Sequence, residues 1–260
     1  MKHVVMFSGG AGSWATAMRV KEEFGTDDLY LVFADTLIED EDLYRFINDA
    51  HKQIGGKLIW LKDGRDVWQV FKDVNFLGNS RITHCSKLLK QKPSRDWLNA
   101  NCTPEDTIVY VGIDWSELHR LPAIVEAYKP YVAKAPMTDK PLLDKNQILE
   151  WMEKEGIKPP RLYGMGFAHN NCGGFCVRSG QAQFKKLYQI FPDRYKEHEK
   201  KEQELRDQIG KDVSIMKDRR GGTTKPLTMS SFRERFMKED CNIPDENDWG
   251  GCGCFVDTEQ

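Results

Sequence analysis

Residues 3–25 have the sequence HVVMFSGGAGSWATAMRVKEEFG, and the fold class is predicted from this segment first. Residues 3–7 form a short, mostly apolar run of β-branched and aromatic side chains, which predicts a buried strand. A glycine-rich turn follows, and apolar residues then recur at helical spacing until Gly25, which marks the end of a helix. The stretch therefore predicts a strand, a glycine-rich turn and a helix in succession.

Outward from this unit, buried-strand patterns alternate with helical patterns. Three more strands are predicted at residues 29–34, 57–61 and 107–113. Helices are predicted at 41–54, from 66 to 72, and over 85–99 with an interruption or restart at Pro93. Strands that alternate with helices of this length indicate βαβ units. The expected fold class is α/β, with an open, mainly parallel sheet and helices on both faces.

The chain changes character after about residue 140, where strand patterns stop. Helices are predicted at 144–155 and 182–208. The sequence from 210 onward carries Gly, Pro, Cys and charge, and we expect it to be irregular and held by something other than an apolar core. The predicted division is an α/β domain over residues 1–165 and a cysteine-rich, helical and irregular subdomain over residues 166–260.

Composition excludes several classes of protein. With 260 residues, 40% hydrophobic and 11% aromatic, the chain is too apolar for a mainly disordered state. It contains no run of 18 apolar residues, so no membrane helix is expected. The 38 Lys and Arg against 40 Asp and Glu argue against a whole-surface nucleic-acid binder, but not against a local basic groove. The opening MKHVVMFSGG is too short and too soon broken for a signal peptide, so we expect a cytoplasmic protein with reduced cysteines.

The glycine-rich turn between the first strand and the first helix has the chemistry of a phosphate site. Glycines expose backbone N–H groups in a tight turn, and the helix N-terminus adds partial positive charge. The turn lacks the Gly-Lys-[Ser/Thr] of a Walker A motif and the third small residue of a dinucleotide fingerprint. A plain βα turn is the alternative. The predicted binding residues are Ser8, Gly9, Gly10, Ala11, Gly12 and Ser13.

Several segments, in order along the chain, resemble one known family. The SGGxxS turn resembles the PP-loop of the adenine nucleotide α-hydrolase superfamily. The segments at 33–36 with Glu39, 84–93, 111–120, 136–137, 162–167 and 172–176 resemble its phosphoadenosine phosphosulfate (PAPS) reductase-like branch. The resemblance covers residues 4–180. It implies that an adenine nucleotide, ATP or PAPS, lies across the carboxyl edge of the sheet.

Single residues near the strand ends and on the following helix are also candidates for the site. Asp35 follows the second strand and is a candidate nucleotide ligand, or else the N-cap of the next helix. Lys90 and Arg120 are candidate catalytic residues that face a phosphate or sulfate group; the alternatives are a solvated lysine face and a surface salt bridge. Gly12 stands where the PP-loop commonly carries Asp, which puts the use of Mg²⁺ in question.

Three functions follow as hypotheses. The first is a PAPS reductase-like oxidoreductase that cleaves a sulfonucleotide reductively. The second is an ATP-dependent sulfurtransferase or modification enzyme that acts on nucleic acid. It would adenylate an oxygen of the substrate, and a sulfur nucleophile would then displace AMP. The third is a non-catalytic module that binds a nucleotide or zinc. The first two imply a thiol or sulfur donor protein as a partner.

Five cysteines form a candidate metal site. Cys172 and Cys176 enclose two glycines, which allow both sulfurs to face one point, and Cys85 lies in a family segment that is expected beside them. Soft thiolates suit an iron–sulfur cluster or zinc. The resemblance implies a [4Fe–4S] cluster, with zinc as the alternative and free buried cysteines as a further one. The fourth ligand is expected to be Cys254 or Cys252, unless an open iron holds a substrate sulfur.

The tail Gly-Gly-Cys252-Gly-Cys254 also departs from the family. The Glu-Cys-Gly tail that carries the nucleophile of the family's reductases is missing. Cys252 and Cys254 are therefore candidate catalytic residues as well as candidate ligands. Cys241 remains ambiguous, and Cys102 has no partner signal.

Overall fold

A computed structural model describes the backbone of residues 1–237 and the side chains of residues 1–235. Its strands are β1 (Lys2–Met6), β2 (Leu29–Asp35), β3 (Lys57–Lys62), β4 (Thr107–Tyr110), β5 (Val132–Lys134), β6 (Met216–Asp218) and β7 (Lys225–Leu227). Its helices are α1 (Ala11–Phe24), α2 (Glu41–Ile54), α3 (Val67–Asp73), α4 (His84–Ser86), α5 (Lys92–Asn101), α6 (Leu121–Tyr128), α7 (Lys145–Lys154), α8 (Arg161–Gly164), α9 (Gln181–Ile190), α10 (Pro192–Ile209) and α11 (Met229–Met237). A π-helical segment, Lys87–Gln91, joins α4 to α5, and Pro93, the predicted point of interruption or restart, lies in the first turn of α5.

The main sheet has five parallel strands in the order β3-β2-β1-β4-β5. Val5 of β1 is paired with Leu31 of β2 on one side and Tyr110 of β4 on the other. The predicted α/β class and parallel sheet are confirmed. The short strand β5 was not predicted, because its three residues carry too little pattern.

Both faces of the main sheet are covered by helices, as predicted. Successive strand residues point to opposite faces, so Val5 joins one core and its neighbour Val4 joins the other. The first core packs α1, α2 and α7 against the sheet, whereas the second packs α5 and α6 against it. The buried apolar run of β1 reads as continuous because both of its faces are covered.

A third apolar core holds the region after the sheet. Tyr195, Leu205, Leu227 and Phe232 are buried in it, together with aromatic residues of α3. The expectation that the sequence from 210 is irregular and without a core is wrong for the described part. β6 and β7 form an antiparallel pair there, and α11 packs against α9 and α10. Three-residue strands separated by a Gly-rich turn gave no alternating pattern to detect.

Buried polar contacts reinforce this third core. The Glu202 carboxylate accepts hydrogen bonds from the backbone N–H groups of Ile215 (3.1 Å) and Met229 (2.6 Å). The core also includes Val67, Trp68, Val70, Phe71 and Leu89, so it crosses residue 165. The predicted boundary between 165 and 166 stays a prediction. Within residues 1–237, no helix is long and apolar enough to cross a membrane.

Candidate functional site

The main cleft lies where the strand order reverses. β2 and β3 extend the sheet to one side of β1, and β4 and β5 extend it to the other. In open parallel sheets, ligands bind at the carboxyl ends of the strands at such a reversal. The cleft has a volume of about 360 Å³, and its inner wall is the glycine-rich turn after β1 and the loop after β4.

The glycine-rich turn has the backbone geometry of a tight turn into a helix. Gly9 has a φ of +74°, and a β-carbon there would lie 2.4 Å from the Leu43 side chain. Gly10 is extended and begins α1 without a side-chain cap. The Ser13 hydroxyl donates to the Gly10 carbonyl at 2.9 Å. Five of the six predicted residues line the cleft: Ser8, Gly10, Ala11, Gly12 and Ser13.

Arg120 lies at the rim of the same cleft, in the short helical turn after β4. Its guanidinium forms an ion pair with Glu117, one turn earlier, and its side chain is only 15% exposed. Both residues line the cleft. Arg120 thus forms the salt bridge of the alternative interpretation and also lines the cleft, where the catalytic interpretation places it. The role of Arg120 stays a prediction.

The outer wall of the cleft holds residues that the sequence analysis did not single out. Lys145, at the start of α7, lies beside the Tyr163 ring, with its Nζ 4.5 Å from the ring centroid. Burial lowers the pKa of Lys145 to about 8. Asn170 is buried, and neither polar atom of its side chain has a partner in the described structure. No sequence pattern marks Lys145, because a lysine at a helix start resembles any solvated one.

Asp35 is buried at the end of β2 and is fully engaged with the protein. Its carboxylate accepts hydrogen bonds from the Tyr44 hydroxyl (3.0 Å), the Trp60 indole (3.2 Å) and the Leu37 backbone (2.9 Å). The alternative role as a helix N-cap is wrong, because Asp40 caps α2. A direct contact of Asp35 with a nucleotide remains a prediction.

Three of the predicted metal ligands meet in one cavity. Cys85, Cys172 and Cys176 line it together, although 87 residues separate the first two in the sequence. Thr83 and Ser86 line it too; both are buried, and their hydroxyls have no partner in the described structure. A hydrogen bond with Cys176 and burial raise the pKa of the Cys172 thiol well above its ordinary value.

Glu39 and Lys90 form an ion pair at the edge of the cysteine cavity. Their charged atoms lie 3.6 Å apart, and Glu39 is only 2% exposed. The Glu39 carboxylate also accepts a hydrogen bond from the Cys172 backbone at 2.6 Å. Lys90 lines this cavity rather than the main cleft, so it lies closer to the cysteines than the sequence predicted.

The loop that carries Cys172 has an unusual backbone. Cys172, Gly173 and Gly174 have φ values of +51°, +60° and +87°. A β-carbon on Gly173 would lie 2.8 Å from the Ile38 carbonyl oxygen, so the loop sits directly on the segment after β2. The predicted role of the two glycines in turning both thiols toward one point is consistent with this geometry.

The metal itself stays a prediction. Among residues 1–235, no three His, Cys, Asp or Glu side chains are arranged to hold a metal ion. The donor set fits a thiolate-bound metal in part, since three thiols share a cavity. Cys241, Cys252 and Cys254, the predicted sources of a fourth ligand and of a nucleophile, lie outside the described residues.

A small third cavity adjoins the other two along the carboxyl edge of the sheet. It is lined by residues from the ends of β1 and β2 and from the π-helical segment. Ser8 borders both this cavity and the main cleft, and Lys90 borders both this cavity and the cysteine cavity. The glycine-rich turn and the cysteines therefore lie along one row of cavities.

Fold and cleft together define an α/β protein with a candidate ligand site at the switch point of a parallel sheet. No family model matches the chain. An uncharacterized protein of Methanocaldococcus jannaschii is 26% identical over 191 residues, which are 73% of this chain and 39% of that protein. The chain thus spans about two fifths of the length of this relative.

Among solved structures, the chain is similar to the phosphoadenylyl-sulfate (PAPS) reductase of Candida auris, determined as a phosphate complex. The match covers 66% of this chain and 81% of that one, with a TM-score of 0.47 and 14% sequence identity.

Proposed function

We propose that the protein is a PP-loop enzyme of the PAPS reductase type that binds an adenine nucleotide in the main cleft and carries out sulfur chemistry at the cysteine cavity. The observation that carries the proposal is the row of three cavities with Ser8 and Lys90 at their junctions. A phosphate on the glycine-rich turn would leave the rest of the nucleotide at the carboxyl edge of the sheet. The thiols lie at the other end of that edge.

The reductase route needs two thiols. One thiolate attacks the sulfur of the sulfonucleotide, the S–O bond breaks, and adenosine bisphosphate leaves while the thiol carries the sulfo group. A second thiol then attacks the sulfur of the first, so that a disulfide forms and sulfite leaves with the electron pair. Cys252 or Cys254 would supply the first thiol in this proposal. Lys90 and Arg120 would hold the anionic groups.

A bound [4Fe–4S] cluster would supply polarisation or transfer of sulfur, and zinc is the alternative. Cys85, Cys172 and Cys176 would hold it, with Cys254 or Cys252 as the fourth ligand. The thiols must lose their protons to bind metal, and at Cys172 the Lys90 charge opposes the burial and hydrogen bonding that raise the pKa of the thiol. Support for this part is the shared cavity of three thiols with two unpaired hydroxyls.

A second candidate is an ATP-dependent sulfurtransferase or modification enzyme. The openness of the main cleft to solvent favours it, because an acceptor could approach a nucleotide bound on the glycine-rich turn. In that route the acceptor oxygen attacks the α-phosphate and pyrophosphate leaves, after which a sulfur nucleophile displaces AMP. Any bound Mg²⁺ would lack a carboxylate ligand at position 12, because Gly12 stands there.

The products separate these routes. Anaerobic protein incubated with PAPS and a thiol reductant should release sulfite and adenosine bisphosphate, whereas ATP with an acceptor should yield AMP and pyrophosphate. Gly10→Val is the variant that tests the nucleotide site. Valine can adopt the extended backbone of Gly10, but its side chain blocks close approach of a phosphate. Parent protein that binds neither nucleotide, or a Gly10→Val variant that binds as tightly as the parent, would overturn the nucleotide site.

Metal content tests the cysteine cavity separately. Iron–sulfur protein should be brown, with broad absorption near ~400 nm, and a Cys85→Ser variant should lose iron and colour together. Zinc should leave the protein colourless. Cys102→Ser is the control, since Cys102 is buried against α5 and β5, away from the cavity. Anaerobic protein that holds neither metal would overturn the metal site and leave the three cysteines with thiol chemistry alone.

A further inference from the structure

The turn that carries Cys172 depends on its surroundings for its shape. Cys172, Gly173 and Gly174 all have positive φ values, and for a cysteine that conformation is strained. A strained residue keeps such a conformation only when neighbouring groups fix it. The hydrogen-bond partners of this turn therefore determine where the Cys172 thiol lies.

Two charged side chains hold opposite ends of the Cys172–Gly173 peptide pair. The Glu39 carboxylate accepts a hydrogen bond from the Cys172 backbone N–H at 2.6 Å. At the other end, the Arg194 guanidinium donates to the Gly173 carbonyl, with Nη1 2.6 Å from the oxygen. The carbonyls of Cys172 and Gly174 accept from neutral donors at 2.9 and 3.3 Å. Because charge-assisted hydrogen bonds are the stronger kind, Glu39 and Arg194 are the main anchors of the turn.

Arg194 is itself fixed by its neighbours. The same Nη1 donates to the Asp40 carboxylate at 3.1 Å, and Asp40 is only 1% exposed and caps α2. The guanidinium carbon also lies 4.4 Å from the centre of the Phe191 ring. A guanidinium held by a buried carboxylate and an aromatic ring has little freedom. The Gly173 carbonyl is therefore tied to the start of α2.

Arg194 is unfavourably placed for the helix that carries it. It is the third residue of α10, and a cation in the first turn faces the positive end of the helix dipole. The charge of Asp40 does not require it either, because Arg161 already donates to both Asp40 oxygens at 2.7 and 2.9 Å. The contact that Arg194 makes and Arg161 does not replace is the one to Gly173.

We infer that Arg194 is a positioning residue that fixes, through the Gly173 carbonyl, the peptide that carries Cys172. It keeps the Cys172 thiol in the cavity that Cys85 and Cys176 also line. The inference rests on the proposed function, in which these three thiols act together. It extends the cysteine site to α10, beyond the part of the chain that resembles the family.

The test is the rate at which iodoacetamide alkylates Cys172 in the chelator-treated full chain, followed by peptide mass spectrometry. In Arg194→Met the turn should open more often, and the Cys172 rate should rise about 10- to 100-fold, the scale of one lost charge-assisted hydrogen bond. The Cys102 rate should stay within about twofold, because Cys102 lies in the core that α5 and α6 form with the main sheet. Arg194→Gln repeats the measurement with a polar replacement and should give the same increase.

Arg161→Met is the matched control. It removes a guanidinium from the same carboxylate, Asp40, at the same helix N-cap, but it leaves the hydrogen bond from Arg194 to Gly173 in place. The Cys172 rate in this variant should stay within about threefold of the parent. In anaerobic protein that holds metal, Arg194→Met should lose the metal to a chelator about 10-fold faster than Arg161→Met does.

The outcomes separate this inference from the proposed function. An unchanged Cys172 rate in Arg194→Met, or an equal increase in Arg161→Met, overturns the inference. A Cys102 rate that rises together with the Cys172 rate also overturns it, because that result indicates a general structural role. Equal rates of metal loss in the two variants overturn it as well. A parent protein without metal overturns the metal part of the proposed function, and the alkylation rates still decide the role of Arg194.

Discussion

The backbones of Gly12 and Gly112 lie in direct contact where β1 and β4 leave the sheet. A β-carbon on Gly12 would lie 2.8 Å from the Gly112 carbonyl oxygen, and one on Gly112 would lie 2.7 Å from the Ser13 backbone nitrogen. Neither position has room for a side chain. This contact gives a physical reason for Gly12, since the aspartate that the PP-loop commonly carries would push the two loops apart.

Gly112→Ala should open this contact and weaken the fold. We expect the free energy of unfolding to fall by about 1–3 kcal/mol, because the new methyl group meets backbone atoms that cannot rotate away. Nucleotide affinity should fall as well, since the inner wall of the cleft moves. Urea unfolding measures the first effect and calorimetry the second. Gly164→Ala is the control, because its β-carbon would meet nothing within 4 Å; equal stability of the two variants would contradict the prediction.

Arg120→Ala tests whether the cleft arginine binds the ligand. We expect loss of affinity for ATP or PAPS by about 2–3 kcal/mol, the scale of a charge-assisted contact removed from a half-buried site. The informative comparison is Glu117→Gln, which breaks the same ion pair but leaves the guanidinium in the cleft. That variant should bind at least as tightly as the parent. If neither variant changes affinity, the pair is only a link within its turn.

Asn170→Leu should stabilise the free protein and weaken its binding of nucleotide. Removing a buried amide without partners should raise the free energy of unfolding of the free protein by about 1–3 kcal/mol. Nucleotide affinity should fall, because the amide is then missing from the cleft. Thermal unfolding with and without ATP measures both effects. A variant that is less stable than the parent would indicate that water already satisfies Asn170.

Much of the α/β part of the chain could be predicted from local sequence. The apolar strands, the Gly-rich turn and the amphipathic helix α2 each carry their own pattern, and the order β3-β2-β1-β4-β5 brings their loops to one edge. The meeting of Cys85 with Cys172 was expected only from a family resemblance. No local pattern could give it, because it depends on how the third core packs.

The sequence could not indicate the residues that act through position alone. Lys145 became a candidate through its burial and Asn170 through its missing partners in the described structure, and both are properties of the folded chain. Lys90 was a candidate from the sequence, but the cavities that it lines were not predicted, because it lies in a π-helical segment whose local widening is invisible to a helical-period analysis. The segments β6 and β7 are too short for alternation to show.

Lys90→Met and Glu39→Gln should change the reactivity of Cys172 in opposite directions. Glu39 raises and Lys90 lowers the pKa of this thiol. Without Lys90 the thiolate fraction should fall and alkylation by iodoacetamide should slow; without the Glu39 charge it should quicken. Peptide mass spectrometry of chelator-treated protein measures the rate, with Cys102 as the internal reference. Changes in the same direction would mean that access, not charge, controls the thiol.

His198 should make the third core sensitive to acid. Burial lowers the pKa of His198 to about 3, and the Trp68 indole donates to its Nδ1 at 2.9 Å while Phe175 stacks on its ring. As pH falls below about 6.5, the unfolded chain binds a proton at this histidine and the folded chain does not. The folded state should therefore lose about 2 kcal/mol from this residue between pH 6.5 and pH 5.

The difference between parent and His198→Gln isolates this loss. Glutamine keeps an acceptor near the Trp68 indole but does not titrate. Burial raises the pKa of Glu202, so that residue favours the folded state as pH falls, but it acts equally in both proteins. Urea unfolding from pH 7.5 to pH 5 should give a shallower pH slope for His198→Gln, whereas the exposed His119→Gln should keep the parent slope. Identical slopes for all three proteins would mean that His198 takes up its proton in the folded state, and that the core around Phe175 opens to water.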